Sequence, residues 1–165
     1  MTGLPTGATA EYDRLVLEND WDGMQLLLSP LVQSRDAEGL YLWSMSSLPG
    51  EGEEAYEARH LNLVNEAAEL GYAPAQFTRG MYYLFGDFGA IDPALAAECF
   101  AASSCQGYAP AQYEYGLALL HGVGVSANKG EAMRLIHSAA AAGNEYAQEF
   151  LQSSREADSV NDDHE

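Results

Sequence analysis

Apolar residues recur along this chain in a helical rhythm that is itself repeated every 36 residues. Aligned in that register, Asp20, Tyr56, Asp92 and Asn128 open four segments, and three of them are good helix N-caps. Seven, eight and eleven residues later come Leu27/Leu63/Cys99/Leu135, Leu28/Val64/Phe100/Ile136 and Leu31/Ala67/Ser103/Ala139. This spacing puts one apolar stripe on each helix, with its smallest residues at the far end. Between these segments lie partner helices that start near Ala37, Ala73 and Ala109 and run to Gly50, Gly86 and Gly122.

The hinge between hairpins is written out twice, as Gly-Tyr-Ala-Pro-Ala-Gln at 71–76 and 107–112, with a worn copy at 143–148. Gly71 and Gly107 can take the left-handed conformation that ends a helix. The following Pro suits the first turn of the next one, where its missing N–H costs nothing. A period of this length predicts stacked helical hairpins. Residues 1–19 form an N-terminal cap helix, with Leu15 and Val16 inward. The repeat array occupies 20–156, its last half-hairpin from Asn144 to Glu156 capping the stack. Residues 157–165 are short, acidic and expected to be disordered. Ser44, Gly80 and Gly116 occupy equivalent helix-interior positions, which predicts a close helix crossing there.

Charge changes the picture at the ends. The chain has 165 residues, with 25 acids against 7 bases and a net charge of −18. Residues 1–70 carry −10, residues 71–143 carry −2 and residues 144–165 carry −6. Such a field argues against nucleic acid and anionic membranes as partners, and favours encounter with a basic protein. The alternative is that surface acid serves solubility alone. No stretch approaches the roughly 20 apolar residues of a membrane span. The N-terminus lacks the pattern of a signal peptide, and Cys99 and Cys105 point to different faces of one predicted helix. A cytoplasmic monomer is the expectation.

Catalytic and metal motifs are thin. Glu57-Ala58-Arg59-His60 places two ligand types on one helix face, but a di-metal bundle site needs that motif twice, so a solvated face is expected. Asp20-Trp21-Asp22-Gly23 lacks the ligand spacing of a calcium loop. Gly122-Val123-Gly124-Val125 lacks the preceding strand and the Lys-Ser/Thr pair of a phosphate cradle. No cofactor, no metal and no enzymatic activity are expected.

The run Ala111-Gln112-Tyr113-Glu114-Tyr115-Gly116, the loop Gly122-Val123-Gly124-Val125, then Ala132 and Ala139 to Gly143, resembles a Sel-one-like repeat, a relative of the tetratricopeptide repeat. The resemblance covers about residues 20–155. It departs at the first loop, Pro49 to Glu54, and at Arg79, where the family pattern usually has an apolar residue. It implies an all-α, right-handed α/α superhelix of three to four 36-residue hairpins that binds proteins and is not an enzyme. Bacterial members include signalling scaffolds, host-interaction factors and proteins encoded beside secreted toxins.

By that resemblance the first helices line a concave groove, with Tyr41, Met45, Phe77, Met81, Phe85, Tyr113, Leu117 and His121 facing a protein partner. The recurrence of an aromatic at 41, 77 and 113 favours packing between repeats instead. Phe85 does not recur, nor does Phe88, and for both the two readings stay open. The second candidate surface is the acidic end, Glu51, Glu53, Glu54 and Glu57. These carboxylates either complement a helix N-terminus or dock a basic partner. The expected function is a protein-binding module, in its sharpest form an inhibitor or immunity protein masking a basic toxin. The alternative is a scaffold joining two proteins.

Overall fold

A computed structural model describes residues 7–162, with side chains placed through Arg155. Among the described residues there are helices and no strands. They are α1 (Gly7–Glu18), α2 (Trp21–Gln33), α3 (Ala37–Met45), α4 (Glu53–Glu69), α5 (Ala73–Phe85), α6 (Pro93–Cys105), α7 (Ala109–His121), α8 (Lys129–Ala141) and α9 (Glu145–Asp162). Each helix packs on the next, and α1 also reaches α3. The result is an all-α repeat stack, as the periodicity requires.

The three expected caps form. Asp20 accepts from the Gly23 N–H at 2.9 Å, Asp92 from Ala94 and Leu95 at 3.0 Å, and Asn128 from Glu131 at 3.2 Å. Tyr56 caps nothing, because α4 already begins at Glu53 after Gly52. Glu53 and Glu54 fill its first turn, and carboxylates there complement the helix dipole. The predicted stripes form the core. Leu28, Val64, Phe100 and Ile136 are all sealed from solvent, as are Ala67, Ser103 and Ala139.

The hinges at Gly71 and Gly143 are Schellman motifs. Gly71 (φ +91°) donates to the Ala68 carbonyl while Tyr72 donates to Ala67, and Gly143 and Asn144 repeat the pattern onto Ala140 and Ala139. The glutamine of the hexapeptide latches back across the hinge, Gln76 onto the Ala68 carbonyl and Gln148 onto Ala140. One hinge is absent from the sequence pattern. Arg35, one period before Gly71, takes φ +55° and donates to Val32 while Asp36 donates to Leu31. The geometry is the same, held by a residue that fits it poorly.

The predicted close crossings are real. A Cβ on Gly80 would stand 2.6 Å from the Phe100 ring, and one on Gly116 would stand 2.7 Å from Ile136. Ser44, fully buried, turns its hydroxyl onto the Tyr41 carbonyl at 2.6 Å.

Three boundaries and faces differ from expectation. Helix α3 stops at Met45 rather than running to Gly50, since Ser46 is extended (φ −85°, ψ 132°) and Pro49 cannot continue a helix. On α1 the inner places belong to Tyr12 and Leu15, three residues apart, which turns Val16 outward at 47% exposure. Helix α9 carries on to Asp162, past the expected end at Glu156, because nothing after Glu145 breaks it: no Pro or Gly follows. Residues 1–6 of the expected cap helix and 163–165 of the expected acidic tail lie outside the described residues.

Candidate functional site

The expected groove residues divide into three groups. Tyr41, Phe77 and Tyr113 sit in the seams between hairpins. Tyr41 hydrogen-bonds Thr78 at 3.0 Å and tilts onto Tyr72 at 5.4 Å. Phe77 lies between Phe100 (5.7 Å) and Tyr108 (5.6 Å), and Tyr113 meets Phe150 and Tyr146 of α9, each at 6.4 Å. Their rings pack one repeat against the next, as in the second of the two readings their recurrence raised. Met45 and Phe85 are open to solvent, at 49% and 61%, while Met81 is half-buried. Leu117 and His121 line a true concavity.

That concavity, about 170 Å³, lies between α5, α6 and α7. Leu84, Pro93, Ala97, Phe100, Leu117, Ala118 and Val123 give it apolar walls, His121 stands at its edge, and Glu114 is its one carboxylate. Burial raises the Glu114 carboxyl above the usual carboxylate range. No cation among the described residues pairs with it. Sequence reasoning passed over Glu114, because an acid on an exposed helix of an acidic chain reads as a solvated side chain. Its one signal was its place one turn before Leu117, on the same face.

The acidic end is less uniform than its sequence. Glu51 is not free to dock a partner. Its carboxylate accepts from Arg59 Nε and Nη2, both at 2.7 Å, and both side chains are largely buried. Arg59 and the Leu48 N–H hold the Glu51 carboxyl below its ordinary range. Glu53, Glu54 and Glu57 remain exposed on the first turns of α4. The face shared by Glu57 and His60 is solvated at Glu57 but closed over His60. His60 is buried, its Nδ1 donating to the Ser44 carbonyl at 2.9 Å and its Nε2 bonded to the Tyr82 hydroxyl. A carbonyl can only accept, so Nδ1 carries the proton. Among the described residues no three His, Cys, Asp or Glu gather to hold a metal, and no helix is long and apolar enough to cross a membrane.

Further apolar side chains stand exposed at the loops. Phe85, Ile91 and Val123 are exposed at the α5–α6 and α7–α8 loops, with Phe88 beside them packed edge-on against Tyr82 at 4.7 Å. The surface therefore offers apolar anchors and isolated charges rather than a reactive constellation.

Comparison with known proteins agrees with this architecture. The Sel1 repeat family matches residues 73–108 and 109–144. The rat protein "DAP3-binding cell death enhancer 1" is 32% identical over 103 residues, covering 62% of this chain and 20% of the relative. This chain thus spans a fifth of that protein's length. A Sel1 repeat protein of Oxalobacter formigenes, solved by crystallography, superposes with a TM-score of 0.69 at 29% identity, covering 76% of this chain and 95% of the other. A protective antigen of uropathogenic Escherichia coli strains, displaying an SLR fold, gives 0.64 at 25% identity over 73% of this chain and 26% of its own. Residues 73–144 thus match two Sel1 repeats in tandem, and the all-α stack is similar to solved Sel1-repeat structures.

Proposed function

We propose that this chain is a non-catalytic protein-binding module that captures a partner with a basic surface. The observation that carries the reading is the α5–α6–α7 groove, where apolar walls surround one unpaired carboxylate, Glu114. A lysine or arginine of the partner would lay its aliphatic stem on Leu84, Phe100 and Leu117 and bring its charge to Glu114. Exposed Phe85 extends the apolar contact, and Glu53, Glu54 and Glu57 add long-range attraction within a net charge of −18. In its sharpest form the module is an inhibitor or immunity-type protein, a cytoplasmic monomer that masks a basic toxin.

The test is affinity purification from the native cell, with the captured protein identified and its binding measured at low and high ionic strength. Charge-driven capture weakens steeply with salt, and it weakens again when Glu53, Glu54 and Glu57 are changed to Lys. Equal binding under all these conditions defeats the basic-partner reading. Co-expression with a candidate toxin, scored by growth, tests the inhibitor form, which fails if the toxin kills equally with and without this protein.

A second reading, a scaffold joining two proteins, is favoured by exposed apolar residues at both ends of the stack: Leu26 on α2 and Tyr146 on α9. The rat relative is named for binding another protein, which supports the broader class and leaves the partner open. Two partners bound at once, in one complex on a sizing column, would establish it.

A further inference from the structure

Arg79 stands on α5 at the repeat position that Trp43 fills on α3 and Tyr115 on α7, both packed against apolar clusters. Its surroundings are unlike those of four other arginines of the chain. Arg14, Arg35, Arg59 and Arg134 each hold a carboxylate at 2.7 Å or less. Arg79 has no ion pair or hydrogen bond among the described residues, and its Nε is sealed from solvent with no acceptor. In a chain of 25 acids and 7 bases, an unpaired half-buried cation is an anomaly. A buried donor without an acceptor costs stability, whereas an apolar residue at this position would not.

The side chain lines a second groove, of about 170 Å³, distinct from the one holding Glu114. Leu61 and Asn65 of α4 form one wall, Tyr82 and Tyr83 of α5 the other, and Phe88 the rim. The Tyr82 hydroxyl is already taken by His60, and Asn65 and Tyr83 are the other lining residues whose side chains carry donors. A guanidinium fork matches the two oxygens of a carboxylate. The chain's negative field makes a doubly charged phosphate a poorer guest than a single carboxylate.

We infer that the groove between α4, α5 and the α5–α6 loop takes a carboxylate of a protein partner, gripped by Arg79 with its apolar neighbour against Leu61 and Phe88. The inference stands apart from the basic-partner reading, since it concerns another groove and the opposite charge.

The probes are phenylacetate, its uncharged analogue phenylacetamide, and phenyl phosphate, titrated into the full chain at constant ionic strength. The readout is the Nε–H signal of Arg79 in nitrogen-15 spectra, where only six arginines contribute. Phenylacetate is expected to move that signal saturably, and phenylacetamide to bind at least about tenfold more weakly. Arg79→Gln and Arg79→Met, each checked for native circular dichroism, should abolish the accompanying shift at Phe88. An unmoved Arg79 signal, or equal binding of the amide, overturns the inference. Tighter binding of phenyl phosphate than of phenylacetate replaces it with a phosphate site.

Discussion

The guanidinium of Arg59 grips Glu51 through two bonds and, with its remaining N–H groups, the carbonyls of Trp43 (2.7 Å) and Ser46 (2.5 Å). One side chain of α4 thus closes the loop ahead of it and satisfies carbonyls at the end of the shortened α3. Without it the Ser46 carbonyl would lose its donor, and the Trp43 carbonyl and a mostly buried carboxylate would keep only the long contacts from the Ser46 and Leu48 N–H groups, each at 3.3 Å. Arg59→Met should therefore lower the thermal midpoint clearly more than Arg134→Met, which removes only an exposed pair within one helix turn. Equal losses in the two variants would show that the Arg59 network contributes no more than a surface ion pair.

Two glutamates should respond to pH with opposite signs. The folded state lowers the Glu51 carboxyl, so its stabilisation is complete above the unfolded carboxylate value of about 4.3 and fades as pH falls through the lowered one. Burial raises Glu114, so its cost is absent in acid, grows as pH climbs above about 4.3, and is complete above the raised value. Urea midpoints are the measurement. At neutral pH, Glu51→Gln should be less stable than the parent and Glu114→Gln more stable, with both differences shrinking toward acid. A Glu114→Gln variant less stable than the parent at neutral pH would contradict the account of its burial.

The close crossings predict a size limit. Gly80→Ala and Gly116→Ala should each destabilise by about 1–3 kcal/mol, as over-packing does, because the new methyl meets Phe100 or Ile136. Gly130→Ala, in the first turn of α8 with no atom nearer than 3.7 Å, should be neutral or slightly stabilising. Denaturant melts of the three variants decide it. Similar behaviour across the set would mean that α5–α6 and α7–α8 can move apart at little cost.

Arg35 carries an avoidable strain. Its left-handed backbone is the one Gly71 and Gly143 adopt in the same Schellman geometry. Its contact with Glu66 is exposed on the arginine side and contributes little. Arg35→Gly should raise stability by about 1 kcal/mol, the cost of holding a side chain in that conformation less what glycine loses in entropy. An unchanged or lower urea midpoint would show that the ion pair with Glu66 matters more than the backbone.

The period, the hinges, the caps at Asp20, Asp92 and Asn128, and the buried stripe were all legible in the sequence. Each is a local device: a glycine that turns left, a proline in a first turn, an acceptor three residues ahead of an N–H. Their physics is complete within about eight residues, so the letters alone determine them. The same reasoning failed at Arg35, where the device is kept but the glycine is missing, and at α3, which stops at Met45, short of Pro49, with its open carbonyls met by an arginine 14 residues beyond Met45. Whether a charged side chain is free, paired or walled in is a property of which helix faces meet. Glu51 and Glu53 look alike in the sequence, yet one is locked to Arg59 and the other is open to water. His60 is buried beside an exposed Glu57, Glu114 is set among apolar walls, and Arg79 faces a groove without an acid. Those three outcomes rest on contacts between separate helices of the stack, and only the packed stack could decide them.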